Sequence, residues 1–295
     1  MHSRLAVLAL SLCAVVSALS ACSAPPGDDD GGTDAGSLPT DAGARDAGVD
    51  GGTAPLKLLF VFDGAQSFAV TDPNGERAAA MLALLDSLPA TPEVSFATMV
   101  FQGSTTAWLN SQIMEFTPLA SFGSAQRQQL ATRLLTFTSP GDAGVDSRDF
   151  VRGVDSAWTM LYLDAMSAVT NGTPPKAKYV VIFVSDGRPS INQDDQLLCG
   201  DVVRRIRNLR LYADDVFVST VHVFKPAQAV GCGGDAGLLV GGSSCAVPET
   251  ANPGVCASTE VELDALRLRR MADLGAGEFR DFRAGQAVTF EGLIP

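Results

Sequence analysis

Two aspartates carry the clearest chemical signal in this sequence. Residues 56–62 read Leu-Lys-Leu-Leu-Phe-Val-Phe, and a carboxylate follows at Asp63 with Gly64 directly behind it. The pattern returns at Lys178-Tyr-Val-Val-Ile-Phe-Val-Ser, followed by Asp186 and Gly187. A short, unbroken apolar run reads as a strand covered on both faces, as in the centre of a parallel sheet. Ligands of open α/β sheets gather at the carboxyl ends of such strands. The spacing therefore predicts that Asp63 and Asp186 share one edge of one sheet. Other chemistries are poorly supplied. His222 is the only histidine beyond the N-terminal segment, so no Ser/His/Asp set can form around a second one, and its apolar surroundings mark it as a packed strand residue. Gly231-Cys-Gly-Gly234 lacks the strand-to-helix setting of a dinucleotide loop.

The elements that must position the two carboxylates alternate between strand and helix. After the first strand, Asp72-Pro73 predicts a helix start with proline in the first turn. Ala78, Met81, Leu82, Leu85 and Leu88 then fall on one helical face up to Pro89. Strands are predicted over 94–103, 107–109, 178–185, 216–224 and 278–282. Helices are predicted over 124–136, along the stripe Val151, Val154, Trp158 and Leu161, over 196–213, and over 261–274 behind a Thr259/Glu262 capping-box spacing. The alternation argues for an α/β domain over 56–295: a doubly wound, mainly parallel six-stranded sheet with helices on both faces.

The first 55 residues are of another kind. Leu5 to Ala18 is an apolar run too short to span a membrane as a folded helix, and it ends in Leu19-Ser20-Ala21-Cys22. This closely resembles a bacterial lipoprotein signal, which implies removal of 1–21, lipidation of Cys22 and a lipid-anchored, extracytoplasmic protein of the cell envelope, at the outer membrane. Residues 22–55 hold seven Asp, one Arg and little to bury, with Asp-Ala-Gly repeated three times. Such a segment cannot offset its ordering entropy and is expected to be a disordered linker, reaching roughly 30 Å on average. It supplies half of the net charge of −12. An acidic chain of this kind excludes a nucleic-acid partner.

Four cysteines follow the linker: Cys199, Cys232, Cys245 and Cys256. Outside the cytoplasm an even number favours disulfides, and the absence of a close Cys pair argues against zinc. Three of them fall in or beside a Gly-rich insertion at 225–258, where bridges would replace a missing core. Three connectivities are open. Cys199–Cys256 enclosing Cys232–Cys245 would tie a helix start to the base of the loop.

The order of elements, the Asp63-x-x-x-Ser67 spacing after the first strand and Ser185-Asp186-Gly187 after the fourth resemble a von Willebrand factor type A (vWA) domain. The segment Leu268–Phe282 is similar to that family's last helix and strand. The resemblance implies a divalent-cation site, Mg²⁺ or Mn²⁺, with Asp63, Ser67 and Asp186 in the matching positions. Ala65 stands where the family has a second serine. The second loop aligns at Asp146-Ser147-Arg148-Asp149, where Ser147 or Arg148 takes the place of a threonine and Asp149 or Asp146 offers an alternative oxygen. Arg148 would oppose a cation or pair with Asp63 or Asp186 in its stead. Three functions follow: a module that binds a protein or glycan ligand at the carboxyl edge of the sheet, completed by a cation; a metal-independent scaffold; or a metal-dependent phosphohydrolase. The last is disfavoured. Phe62-Asp63-Gly64 resembles the start of a haloacid-dehalogenase-type phosphatase, but Ala65 occupies the position of the required second aspartate. The chain is therefore expected not to be an enzyme.

Overall fold

A strand whose residues are apolar on both faces must be covered on both faces, and the fold is built on that requirement. The structure, a computed structural model of the 295-residue chain, describes residues 54–65, 67–102, 105–110, 114–136, 149–172, 176–187, 202–225 and 255–295, with 69, 70 and 255–264 described by backbone alone. The first strand, β1 (Leu56–Asp63), lies between β2 (Val94–Gln102) and β5 (Lys178–Ser185), parallel to both. The strands β6 (Asp215–Phe224) and β7 (Ala276–Arg283) continue the parallel sheet beyond β5. On the other side, β3 (Thr105–Trp108) returns antiparallel along β2 as a hairpin. The order is β3-β2-β1-β5-β6-β7.

Among the described residues the sheet has seven strands, not the six expected. The extra one, β4 (Thr117–Pro118), is two residues long and pairs antiparallel with β2. A pair of residues shows no periodicity, and Pro118 is tolerated there because it sits at an edge.

Alternate residues of each strand feed two cores. On one face Val61, Met99, Phe101, Val181 and Phe183 meet α4 (Phe150–Thr170), α5 (Arg204–Asn208) and α6 (Val255–Leu274) through Val154, Ala157, Leu161, Ile206 and Leu268. On the other face Leu58, Phe60, Phe62, Val180 and Ile182 meet α2 (Glu76–Ser87) and α3 (Ser124–Thr136) through Met81, Leu85, Leu130 and Leu134. The segment after β7 completes that second layer. Phe290 is buried against Phe60 and Phe62 at ring-centroid distances of 6.3 and 6.5 Å, and Ser219 Oγ donates to the Leu293 carbonyl at 2.8 Å. Among the described residues, no helix is long and apolar enough to cross a membrane.

Three helix boundaries differ from the sequence reading. A single turn, α1 (Phe68–Thr71), precedes Asp72, and α2 starts at Glu76 behind a left-handed Gly75, so Pro73 is not in its first turn. Asp72 still caps α2: its carboxylate accepts from the Glu76 and Arg77 amides at 2.7 and 3.2 Å, and pairs with the Arg77 guanidinium at 2.9 Å. Where described, the predicted helix 196–213 is helical from Val202 to Leu211, through α5 and a 3₁₀ turn at Leu209–Leu211 that tightens the chain into β6. The last helix begins at Val255, so Thr259 lies inside it and is not its cap. Capping-box spacing favours a start but does not impose one when helix-compatible residues precede it.

Candidate functional site

The register of β1 and β5 does what the two Asp-Gly strand ends predicted. Phe62 is opposite Val184, which sets Asp63 beside Ser185 at the carboxyl ends of adjacent parallel strands, with Asp186 one residue further. Both carboxylates are almost wholly buried, at 1% and 2% exposure. Asp63 Oδ1 accepts the Ala65 amide at 2.9 Å, and its Oδ2 accepts the Ser185 hydroxyl at 2.8 Å. The Ser185 oxygen also lies 3.0 Å from the Gly187 carbonyl, which holds the Ser-Asp-Gly turn over the strand end. Gly64 is required by close approach. Its amide donates to the Phe101 carbonyl at 2.8 Å, and a Cβ there would stand 2.8 Å from Val100 Cγ1.

The first loop brings a residue that the sequence reading missed. Its single turn α1 carries Thr71 to Asp186, and the Thr71 hydroxyl donates to Asp186 Oδ2. The same hydroxyl oxygen is 3.1 Å from the Ser67 carbonyl, whose oxygen also accepts the Thr71 amide at 2.9 Å. Ser67 is buried beside this turn. Thr71 is held from behind as well: its carbonyl accepts the Lys225 amide at 2.7 Å, at the exit of β6. The Lys225 ammonium bonds both oxygens of Glu76, at 2.6 and 2.5 Å, and the Gln286 carbonyl. The Lys225 bond, the foremost influence on Glu76, holds its carboxyl below the usual range. Ser185 was legible as part of Ser-Asp-Gly. Thr71 had no local signal, since only the turn at 68–71 brings it round.

Asp149 lies at the same edge, at the start of α4. That helix is seated by Phe150, whose ring meets Phe101 and Phe183 at centroid distances of 6.0 and 5.0 Å, at the ends of β2 and β5. The Asp149 carboxylate accepts the Arg152 amide at 2.9 Å and so caps the helix. Among the described residues, no three His, Cys, Asp or Glu side chains gather as a metal cluster. The side-chain oxygens described at this edge thus come from the carboxylates of Asp63, Asp186 and Asp149 and the hydroxyls of Ser67, Thr71 and Ser185. Asp146, Ser147 and Arg148 lie outside the described residues, as do Cys22, Cys199, Cys232 and Cys245; Cys256 is described only as backbone in α6.

His222 is fully buried on β6, opposite Ser185 on one side and Asp281 on the other. Its Nδ1 is 2.9 Å from Asp281 Oδ1, and among the described residues Nε2 meets no hydrogen-bond partner. A neutral ring with its proton on Nδ1 satisfies this geometry. Arg283 grips the same carboxylate through two bonds of 2.7 Å. Burial alone would raise the Asp281 carboxyl; the bonds from His222 and Arg283 outweigh it and bring the group below its usual range. His222 is a packed strand residue, as its sequence setting predicted.

No protein-family model matches this chain, and no curated protein matches it. Solved structures of similar chain path include the N-terminal domain of TFIIH p34, at 14% identity over 79% of this chain and 93% of that one, with a TM-score of 0.46. The SpRpn10 VWA domain aligns at 9% identity over 79% of this chain and 92% of that one, with a TM-score of 0.40. The pilus adhesin SpaC of Lactobacillus rhamnosus GG aligns at 12% identity over 78% of this chain, with a TM-score of 0.47; the chain spans only 28% of that protein. These are likenesses of chain path alone. The fold, read from its own strand order and two-sided helix cover, is a doubly wound, mainly parallel α/β domain.

Proposed function

We propose that this chain is a lipid-anchored, extracytoplasmic protein of the bacterial envelope whose domain binds a protein or glycan ligand at the carboxyl edge of the sheet. The observation that carries the reading is the pairing of two buried carboxylates, Asp63 and Asp186, at neighbouring strand ends, each accepting a hydroxyl. Buried carboxylates are costly unless charge and hydrogen bonds are balanced around them, and their concentration at a sheet edge marks a site. The donor set is all oxygen with two carboxylates, which suits a hard divalent cation such as Mg²⁺ or Mn²⁺ that keeps several waters. Asp63, Ser67 and Asp186 would hold the ion, with Thr71 positioning Asp186. When bound, the cation supplies a positive charge that a carboxylate or sugar oxygen of the ligand completes. The domain is read as a binding protein and not as an enzyme.

The placement of the chain favours display from a tether. The Lys178 amide donates to the Pro55 carbonyl at 2.8 Å, so the chain enters the sheet at the edge opposite Asp63. Eight residues of β1 separate the two edges, about 26 Å at the usual rise.

A second reading, a metal-independent interaction domain, is favoured by one feature: both Asp63 oxygens already accept bonds within the fold. Capture of an envelope ligand with and without chelator separates the two. Under the cation reading, chelator and Asp186→Ala each abolish capture; under the scaffold reading, chelator has no effect. Cys22→Ala tests the anchor: the protein should leave the membrane fraction, and its retention after a high-salt wash would remove the lipid-anchor reading.

A further inference from the structure

The chain is acidic as a whole, yet residues 204–212 read Arg-Arg-Ile-Arg-Asn-Leu-Arg-Leu-Tyr, with four arginines in seven residues. They form α5 and the 3₁₀ turn Leu209–Leu211 that leads into β6. Ile206 and Leu209 anchor this segment in the core, and Arg204, Arg205, Arg210, Leu211 and Tyr212 are left in solvent. Leu211 is 69% exposed, more than any other large apolar residue among those described. Arg205 is paired with Asp155 at 3.1 Å and lies over the Trp158 ring; Arg207 is paired with Asp215 at 3.0 Å. Among the described residues, Arg204 and Arg210 have no carboxylate partner. The Lys176 ammonium bonds the Leu211 carbonyl at 3.3 Å, bringing a further cation to the same corner, with exposed Asp214 as the opposing charge.

The position of this corner matters as much as its charge. Arg207 reaches the Val216 carbonyl, at the amino end of β6. Pro55, where the chain enters the sheet, is bonded to Lys178 at the amino end of β5, and Lys178 is opposite Asp215 of β6. Entry strand and basic corner therefore share one edge, two strand spacings or about 10 Å apart.

We infer that this corner is a docking surface for the anionic headgroups of a lipid bilayer. Guanidinium groups bind phosphate oxygens through paired N–H donors, and an apolar side chain with an adjacent tyrosine is suited to the boundary between headgroup and acyl chain. A soluble acidic partner would use the arginines but would leave Leu211 without a role. The domain as a whole is acidic and is repelled by an anionic surface, and with charge screened over about 8 Å the basic corner can approach closely while most of the acidic surface stays away. Docking there sets one orientation, with Asp63 and Asp186 facing away from the bilayer. The inference rests on the tethered reading for its setting, but its test does not use the anchor or the cation.

The test is co-sedimentation of the chain carrying Cys22→Ser, which no lipid anchors, with phosphatidylethanolamine vesicles made with or without phosphatidylglycerol. The chain should partition onto the phosphatidylglycerol vesicles alone and be released by added salt. Each basic residue at such a surface contributes about fivefold, so the Arg204→Gln, Arg210→Gln double variant should bind about 25-fold more weakly. Leu211→Ser should weaken binding further at unchanged salt dependence. All these side chains are exposed, so melting temperatures should stay at the wild-type value. Equal partition onto both vesicle types, or an unaltered double variant, would overturn the inference. Loss in the double variant without any effect of Leu211→Ser, with polyaspartate competing fully, would also overturn it in favour of a soluble acidic partner. Cation-induced stabilisation measured on the same variants reports the carboxylate edge separately.

Discussion

Replacing Thr71 by Val is a nearly isosteric change that removes one hydroxyl. In the wild type that hydroxyl donates to Asp186 Oδ2 in a setting where Asp186 is 2% exposed and Thr71 is 1% exposed. Water does not reach the vacated position freely, so Asp186 Oδ2 loses the bond from Thr71. A hydrogen bond to a buried charged group contributes about 1.5–3 kcal/mol. Taking about 2 kcal/mol, and the 2–4 °C per kcal/mol typical of domains this size, the melting temperature should fall by about 4–8 °C. Thr71→Ser keeps the donor and loses only a methyl group, so it should cost about 1 kcal/mol. Thermal denaturation followed by circular dichroism reads both variants. A double-mutant cycle with Asp186→Ala should show a coupling of at least about 1 kcal/mol, because the bond between the two residues can be lost only once. If Thr71→Val melts within about 1 °C of wild type while Thr71→Ser does the same, the hydroxyl does not hold Asp186 and the reasoning about the edge fails.

Three further outcomes are expected. Phe290→Ala removes a ring packed on Phe60 and Phe62 and should cost about 3–5 kcal/mol in urea unfolding; a loss under 1 kcal/mol would mean the segment after β7 is not part of the core. Glu76 has its carboxyl depressed by Lys225, so the pair contributes stability above the unfolded carboxyl's range near pH 4.5 and loses it as pH falls through the folded value; Lys225→Met should flatten that acid limb, and an unchanged pH profile would count against the pairing. Peptide mapping of the non-reduced protein should find two disulfides among Cys199, Cys232, Cys245 and Cys256, each able to contribute about 2–4 kcal/mol, whereas free thiols at these positions would refute the assignment.

The parts of this molecule that were legible in the sequence are those set by uninterrupted apolar runs. β1 and β5 are read from such runs because a strand covered on both faces has little room for polar residues until it leaves the sheet, and Asp63 and Asp186 mark that exit; β2 and β6 are read from runs that Ser95, Thr98, Ser219, Thr220 and His222 interrupt. The helix α4 follows from its stripe and α3 from its composition. What stayed hidden depends on tertiary contact. Thr71 joins Asp186 through one helical turn, too short to leave a pattern, and Asp72 caps α2 from four residues away, around Pro73 and Gly75. β4 is two residues held by β2, and the long helix expected before β6 tightens into a 3₁₀ turn because Leu209 must enter the core just before the strand begins. A ligand is not written in the fold at all.

The most direct test of the carboxylate edge is a Mn²⁺ titration of the purified protein, followed by its melting temperature. At a hundredfold excess over Kd a bound cation should stabilise the fold by about 2.7 kcal/mol, or about 5–10 °C for a domain this size. The shift should vanish in Asp63→Ala and in Asp186→Ala, each compared with and without the ion. A melting temperature that stays flat across the wild-type titration would contradict the cation site and leave an edge that binds without metal.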